Sequence, residues 1–179
     1  EIPAAELTEE QKTLIMQRFW DINPKILDRF PGYKALLDLR LSTDSVEEAV
    51  AAFSTQNFLD LQVLFNLGWT DPDWLAEEPL ASLVAREQNY SEEHKSLILQ
   101  AHADLIRQVI PIHRQLQDAG QIEVTMTPYA HPILPLLVDT TLAKQAMPDA
   151  AMPRHTFQEI KDAQAQVSLG VEFYQEHFG

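Results

Sequence analysis

The chain has 179 residues, 45% of them hydrophobic, enough for one globular domain with a real core and too apolar to be disordered as a whole. Its 27 acidic and 13 basic residues give a formal charge of -14, which argues against a phosphate-backbone partner and favours neutral or hydroxyl-rich ligands. The absence of cysteine excludes disulfides, thiolate zinc sites and a cysteine nucleophile, and biases the expected compartment only weakly toward the cytoplasm. No apolar run approaches the roughly 20 residues a bilayer crossing needs, and no basic-then-apolar leader opens the chain, so a soluble cytoplasmic protein is expected. The start at Glu1, without methionine, suggests a processed or excised chain.

Thr8-Glu9-Glu10-Gln11 has the form of a capping box, predicting a helix to about Ile22 with Leu14, Ile15, Phe19 and Ile22 as its buried stripe. Pro24 and Pro31-Gly32 punctuate the chain into short helices, about Ile26 to Phe30 and Tyr33 to Leu41. The run Ser42 to Ser45 supplies the next cap, with Glu47 and Glu48 in a first turn whose dipole favours acids. Phe58 to Trp69 is apolar nearly throughout and reads as a mostly buried helix, with a strand as its rival. Asp71-Pro72 then opens a short helix carrying Trp74. Ser91 caps the longest helix, about Glu92 to Ala119, which Pro111 should kink and Gly120 should end. Beyond it a short helix is expected over Leu136 to Gln145, and a last one from about Thr156 to His177.

One stretch breaks the helical pattern. From Gly120 the sequence GQIEVTMTPYAHPILPLL alternates with a period of two, Ile122, Val124 and Met126 on one face and Glu123, Thr125 and Thr127 on the other. It predicts a β-strand over about 121–127, although a lone strand needs partners for its backbone and no second one is evident. Glu123 is the carboxylate this pattern singles out, either at a solvated site or on the wet side of an edge strand. Tyr129 and His131 follow at the strand's exit, where such side chains bind polyhydroxylated ligands or serve as turn and packing residues. No metal site is expected: His94 and His102 lie two turns apart, and His113 lies beyond Pro111. There is no phosphate loop and no nucleophile elbow, so no cofactor is expected. Trp69 and Trp74 could form a sugar platform, but aromatic residues beside a tight cap are usually core.

The runs FNLGWTDP (Phe65 to Pro72) and GQIEVTMTPYAHPILPLLVDT (Gly120 to Thr140), with Ala143, Pro148, Pro153, Phe157, Asp162, Ala163 and Phe178-Gly179 in order, resemble glycoside hydrolase family 57 over most of the chain. The resemblance implies a retaining enzyme on α-glucans such as starch or glycogen, built on an incomplete β/α barrel with added helices. Retaining chemistry needs two carboxyls roughly 5 Å apart, one attacking the sugar and one protonating the leaving oxygen. The family's opening His-Gln-Pro region and the strands that would carry the Glu nucleophile and the Asp acid/base have no counterpart here. The expectation is therefore a noncatalytic internal segment with no catalytic residue of its own, in which Glu123 matches the conserved Glu of the family's second region and Tyr129 and His131 are further substrate contacts. The implied fold is mainly α, a multi-helix segment with one β-strand belonging to the parent's barrel. Residues 1–119 would be a helical insertion and 120–179 the barrel strand with its following helices, packed as one compact unit. The competing reading is an autonomous helical binding or assembly module whose exposed strand pairs with another copy.

Overall fold

The structure, a computed structural model, describes residues 2–179. It divides into two compact units, Glu1–Ile106 and Arg107–Gly179, and the longest helix contributes to both. In the first unit a single 3-10 turn, Ala4–Glu6, precedes helices α1 (Glu9–Arg18), α2 (Pro24–Leu27), α3 (Pro31–Leu41) and α4 (Val46–Ala52). These are followed by α5 (Thr55–Gly68), α6 (Pro72–Leu75), α7 (Leu80–Arg86) and α8 (Glu92–Asp118).

Local chemistry sets the boundaries. The Thr8 hydroxyl accepts from the Gln11 amide at 3.3 Å while the Gln11 side chain accepts from the Thr8 amide at 2.9 Å, the reciprocal pair of a capping box. Ser54 and Asn57 repeat the device on α5, Ser45 caps α4 alone, and Pro opens α2, α3 and α6 where its missing N–H costs nothing. The first helix stops at Arg18, short of Ile22, and its buried face is Ile15 with Met16; Leu14 points to solvent.

The core is built on α5. Phe58, Leu61, Val63, Leu64 and Leu67 are fully buried there, joined by Tyr33 and Leu36 of α3, Tyr90, and Ile98 of α8. Burying a side chain of this size contributes about 1.5–3 kcal/mol, so this helix is the main source of the unit's stability. Two buried charges are fully engaged. Asp60, 5% exposed, accepts from the Asn89 and Tyr90 amides at 3.0 and 2.8 Å and from the Gln56 side chain at 2.8 Å. The Lys95 ammonium meets the Glu92 carboxylate at 2.6 Å, the Gln62 side chain at 3.0 Å and the Ile2 carbonyl at 2.8 Å, tying the start of the chain to α8.

In the second unit the end of α8 is followed by an extended run and by α9 (Leu134–Val138), a 3-10 turn Thr140–Leu142, α10 (Ala143–Ala146) and α11 (Ile160–Phe178). The helix expected over Leu136 to Gln145 is broken at Asp139. That residue is extended, and its carboxylate accepts from the Thr141 amide at 2.8 Å, the Thr141 hydroxyl at 2.6 Å and the Gln158 side chain at 2.8 Å. The last helix starts four residues later than its pattern suggests. Phe157 and Glu159 form a strap instead, Glu159 donating to the Leu137 carbonyl at 2.7 Å and the Phe157 carbonyl accepting from the Thr140 amide at 3.1 Å.

The strand expected over about 121–127 is corrected by the structure. The backbone is extended, but among the described residues there is no β-strand, because no second extended segment lies beside it to form a ladder. The fold is mainly α. Pairing of two copies through an exposed strand loses its basis with the strand itself.

Candidate functional site

The extended run begins at a well-made stop. Gly120 has φ of 68°, the left-handed region open to glycine, with its amide on the Gln117 carbonyl at 2.8 Å and the Gln121 amide on the Leu116 carbonyl at 2.9 Å. This Schellman closure turns the chain out of α8 and fixes the register that follows. Ile122, Val124 and Met126 are half-buried, whereas Glu123, Thr125 and Thr127 are exposed, so the alternation legible in the sequence is realised residue by residue.

What the run lacks in strand partners it receives from helix side chains. Gln117 accepts from the Val124 amide at 3.3 Å, Tyr174 donates its hydroxyl to the Val124 carbonyl at 3.2 Å, and the Tyr129 amide donates to the Gln166 carbonyl at 3.0 Å. The Gln166 side chain also accepts from the Ala130 amide at 2.7 Å. The close approach is made possible at Gly170, where a Cβ would stand 2.9 Å from the Thr127 carbonyl oxygen and 3.3 Å from the Tyr129 nitrogen. The carboxyl end of α11 is held in turn by Arg114 and Gln117, which donate to the His177 and Phe178 carbonyls at 3.0 and 3.1 Å.

Between the run and α11 lies a groove of about 540 Å³, walled by Val124 to Thr127 and Tyr129 on one side and by Gly170, Phe173, Tyr174 and Phe178 on the other. Tyr129, 60% exposed, meets Phe173 edge-on with ring centroids 6.4 Å apart. Of the three residues singled out from the sequence, Tyr129 lines this groove; Glu123 and His131 do not. Glu123 is exposed, alternating with the half-buried residues as Thr125 and Thr127 do, and its carboxylate has no hydrogen bond or ion pair among the described residues. His131 is exposed in the turn that ends the run, with φ of 52° and its amide on the Pro128 carbonyl at 2.8 Å.

The aromatic residues of α11 were not singled out in the sequence. Their signal was Gly170 inside a helical pattern flanked by Phe173 and Tyr174, which marks a close backbone approach beside aromatic surface. The histidines have local roles: the His94 ring accepts from the Ser91 amide at 2.9 Å at the start of α8, and His102 contacts the Thr70 hydroxyl at 2.7 Å. Burial pushes the His102 ring below its ordinary value. Among the described residues no group of three or more His, Cys, Asp or Glu side chains could hold a metal, and no helix is long and apolar enough to cross a membrane. In the exposed loop, the Thr141 hydroxyl and amide hold the Asp139 carboxyl below the usual range. Trp69 and Trp74, expected in the core, are instead 62% and 45% exposed.

The model of glycosyl hydrolase family 57 matches residues 4–179, and the chain belongs to that family. No curated protein and no solved structure matches the chain.

Proposed function

We propose that this chain supplies substrate-binding surface to a retaining family 57 enzyme acting on α-glucans, and that it does not itself carry the nucleophile or the acid/base. The observation that carries the reading is the set of exposed side chains on the extended run. Glu123 stands there as a carboxylate with no protein partner among the described residues, with the Thr125 and Thr127 hydroxyls following it along the run. A carboxylate left in this state accepts hydrogen bonds from sugar hydroxyls, and charge-assisted bonds of that kind contribute about 1.5–3 kcal/mol each. Tyr129 adds an exposed ring for stacking, and His131 a donor and acceptor at the turn. Retaining hydrolysis needs a pair of carboxyls across the scissile bond, whereas this set offers the single carboxylate of Glu123 with two threonines. The cysteine-free composition suits a cytoplasmic setting.

In an α-glucan-active protein carrying this segment, Glu123→Gln should lower kcat/KM by about tenfold or more, the loss expected for one or two charge-assisted contacts. The 179-residue chain alone should release no sugar from starch or glycogen. An unchanged kcat/KM in the variant removes Glu123 from the site, and hydrolysis by the chain alone removes the noncatalytic reading.

A further inference from the structure

We propose that the turn joining α5 to α6 is a second carbohydrate contact, in which Trp69 and Trp74 present flat ring faces to a neutral oligosaccharide. The inference rests on family membership and on the local geometry, and is independent of any role for Glu123. The three tryptophans differ in a telling way. Trp20 is half-buried and donates its indole N–H to the Met16 carbonyl at 2.8 Å, whereas the N–H groups of Trp69 and Trp74 have no acceptor among the described residues. Both indoles therefore offer a donor as well as an apolar face, the two contacts a sugar ring takes from tryptophan.

The first ring is anchored before any ligand arrives. Trp69 packs edge-on against Phe65 at 6.3 Å, and Phe65 stacks on Phe19 at 4.3 Å. Thr70 between the two helices is buried, donating its hydroxyl to the Asn66 carbonyl at 2.9 Å. Asp71 fixes the start of α6 by accepting from the Asp73 amide at 2.9 Å. Five residues of fully extended chain span about 18 Å, and the helical turn at Pro72–Leu75 shortens that reach, so the two tryptophans are separated by less than that length.

Charge selects the ligand class. Asp71, Asp73, Glu77 and Glu78, within five residues of one or other tryptophan in sequence, are exposed, and no Lys or Arg occurs between Arg40 and Arg86, which disfavours nucleic acid and anionic lipid. Protein interfaces deplete charge at their centres, so this pattern fits a polyhydroxylated ligand better than a protein partner.

Intrinsic fluorescence of the intact chain tests the assignment, titrated with maltoheptaose and with cellohexaose, since the choice of an α-glucan rests on the function proposed above. Saturable change with either sugar is expected, weakened about fivefold to tenfold by Trp69→Ala or Trp74→Ala. A response to cellohexaose alone keeps the platform and removes the α-glucan reading. No saturable response to either sugar, or one that both tryptophan variants retain, overturns the proposal. So does a sugar-silent chain whose self-association is abolished by Trp69→Ala. Circular dichroism and the melting temperature of each variant establish that it is folded, as exposed positions allow.

Discussion

The two units use the same residue types to opposite ends. In the first, the large apolar side chains of α5 turn inward and are covered by α3, α7 and α8, while in the second Val167, Leu169, Val171 and Phe173 of α11 remain substantially exposed. Ala163 is the one buried hydrophobic residue of the second unit among those described, so that unit has almost no core of its own. Its order comes from directed polar contacts: the Gln117 and Gln166 side chains, the Tyr174 hydroxyl and the close approach at Gly170. The comparison teaches that stability and the candidate binding surface reside in different parts of the chain. A packed core tolerates no unpaired backbone, whereas an extended run held by a few side chains can keep one face open for a ligand.

The comparison breaks most visibly at α5. Leu64→Ala should cost about 2–5 kcal/mol by denaturant unfolding, since it opens a cavity in a site with no exposed surface. Val171→Ala in α11, already exposed, should change stability by less than about 0.5 kcal/mol. Equal costs would mean that the second unit is as tightly packed as the first. Gly170→Ala sharpens the contrast from the other side. Alanine favours a helix by about 1 kcal/mol over glycine, yet here its Cβ meets the Thr127 carbonyl at 2.9 Å. Hydrogen exchange should quicken at the Tyr129 amide, which is bonded to Gln166, with the α5 amides unaffected. Unaltered exchange at Tyr129 would show that the run does not depend on this approach.

The smallest expected effect is a pH dependence confined to the first unit. Burial lowers the His102 pKa in the folded chain below its ordinary value of 6.5, so the unfolded chain takes up the proton first. Stability is therefore complete above pH 6.5 and declines as pH falls from there toward the lowered folded value. His102→Gln should flatten that slope; a slope unchanged in the variant would assign it to another group.

What the sequence disclosed follows from range. Thr8, Ser45, Asp71 and Gly120 announced helix ends correctly because a cap is satisfied within three or four residues. Helix α7 went unseen because it has no side-chain cap, starting after Pro79 and ending at Glu87 with φ of 63°. Leu14 and Met16 exchanged roles because the burial of one helix face depends on what packs against it, and Trp69 and Trp74 were misplaced for the same reason. The alternation at 122–127 was legible as extended backbone, but a strand is defined by its partners, which no local pattern contains. Of the candidate site, Glu123 was visible through that alternation, while the groove wall of Phe173, Tyr174 and Phe178 required the fold to bring α11 against the run.

The exposed side chains of the extended run are the proposed carbohydrate contact. Amide and side-chain NMR shifts of the chain, followed during titration with maltoheptaose, test it most directly. Saturable shifts are expected at Glu123, Thr125 and Tyr129 and should vanish in Glu123→Gln, with the α5 core resonances unmoved. Shifts absent at those three residues, under conditions where the sugar binds elsewhere on the chain, would contradict it.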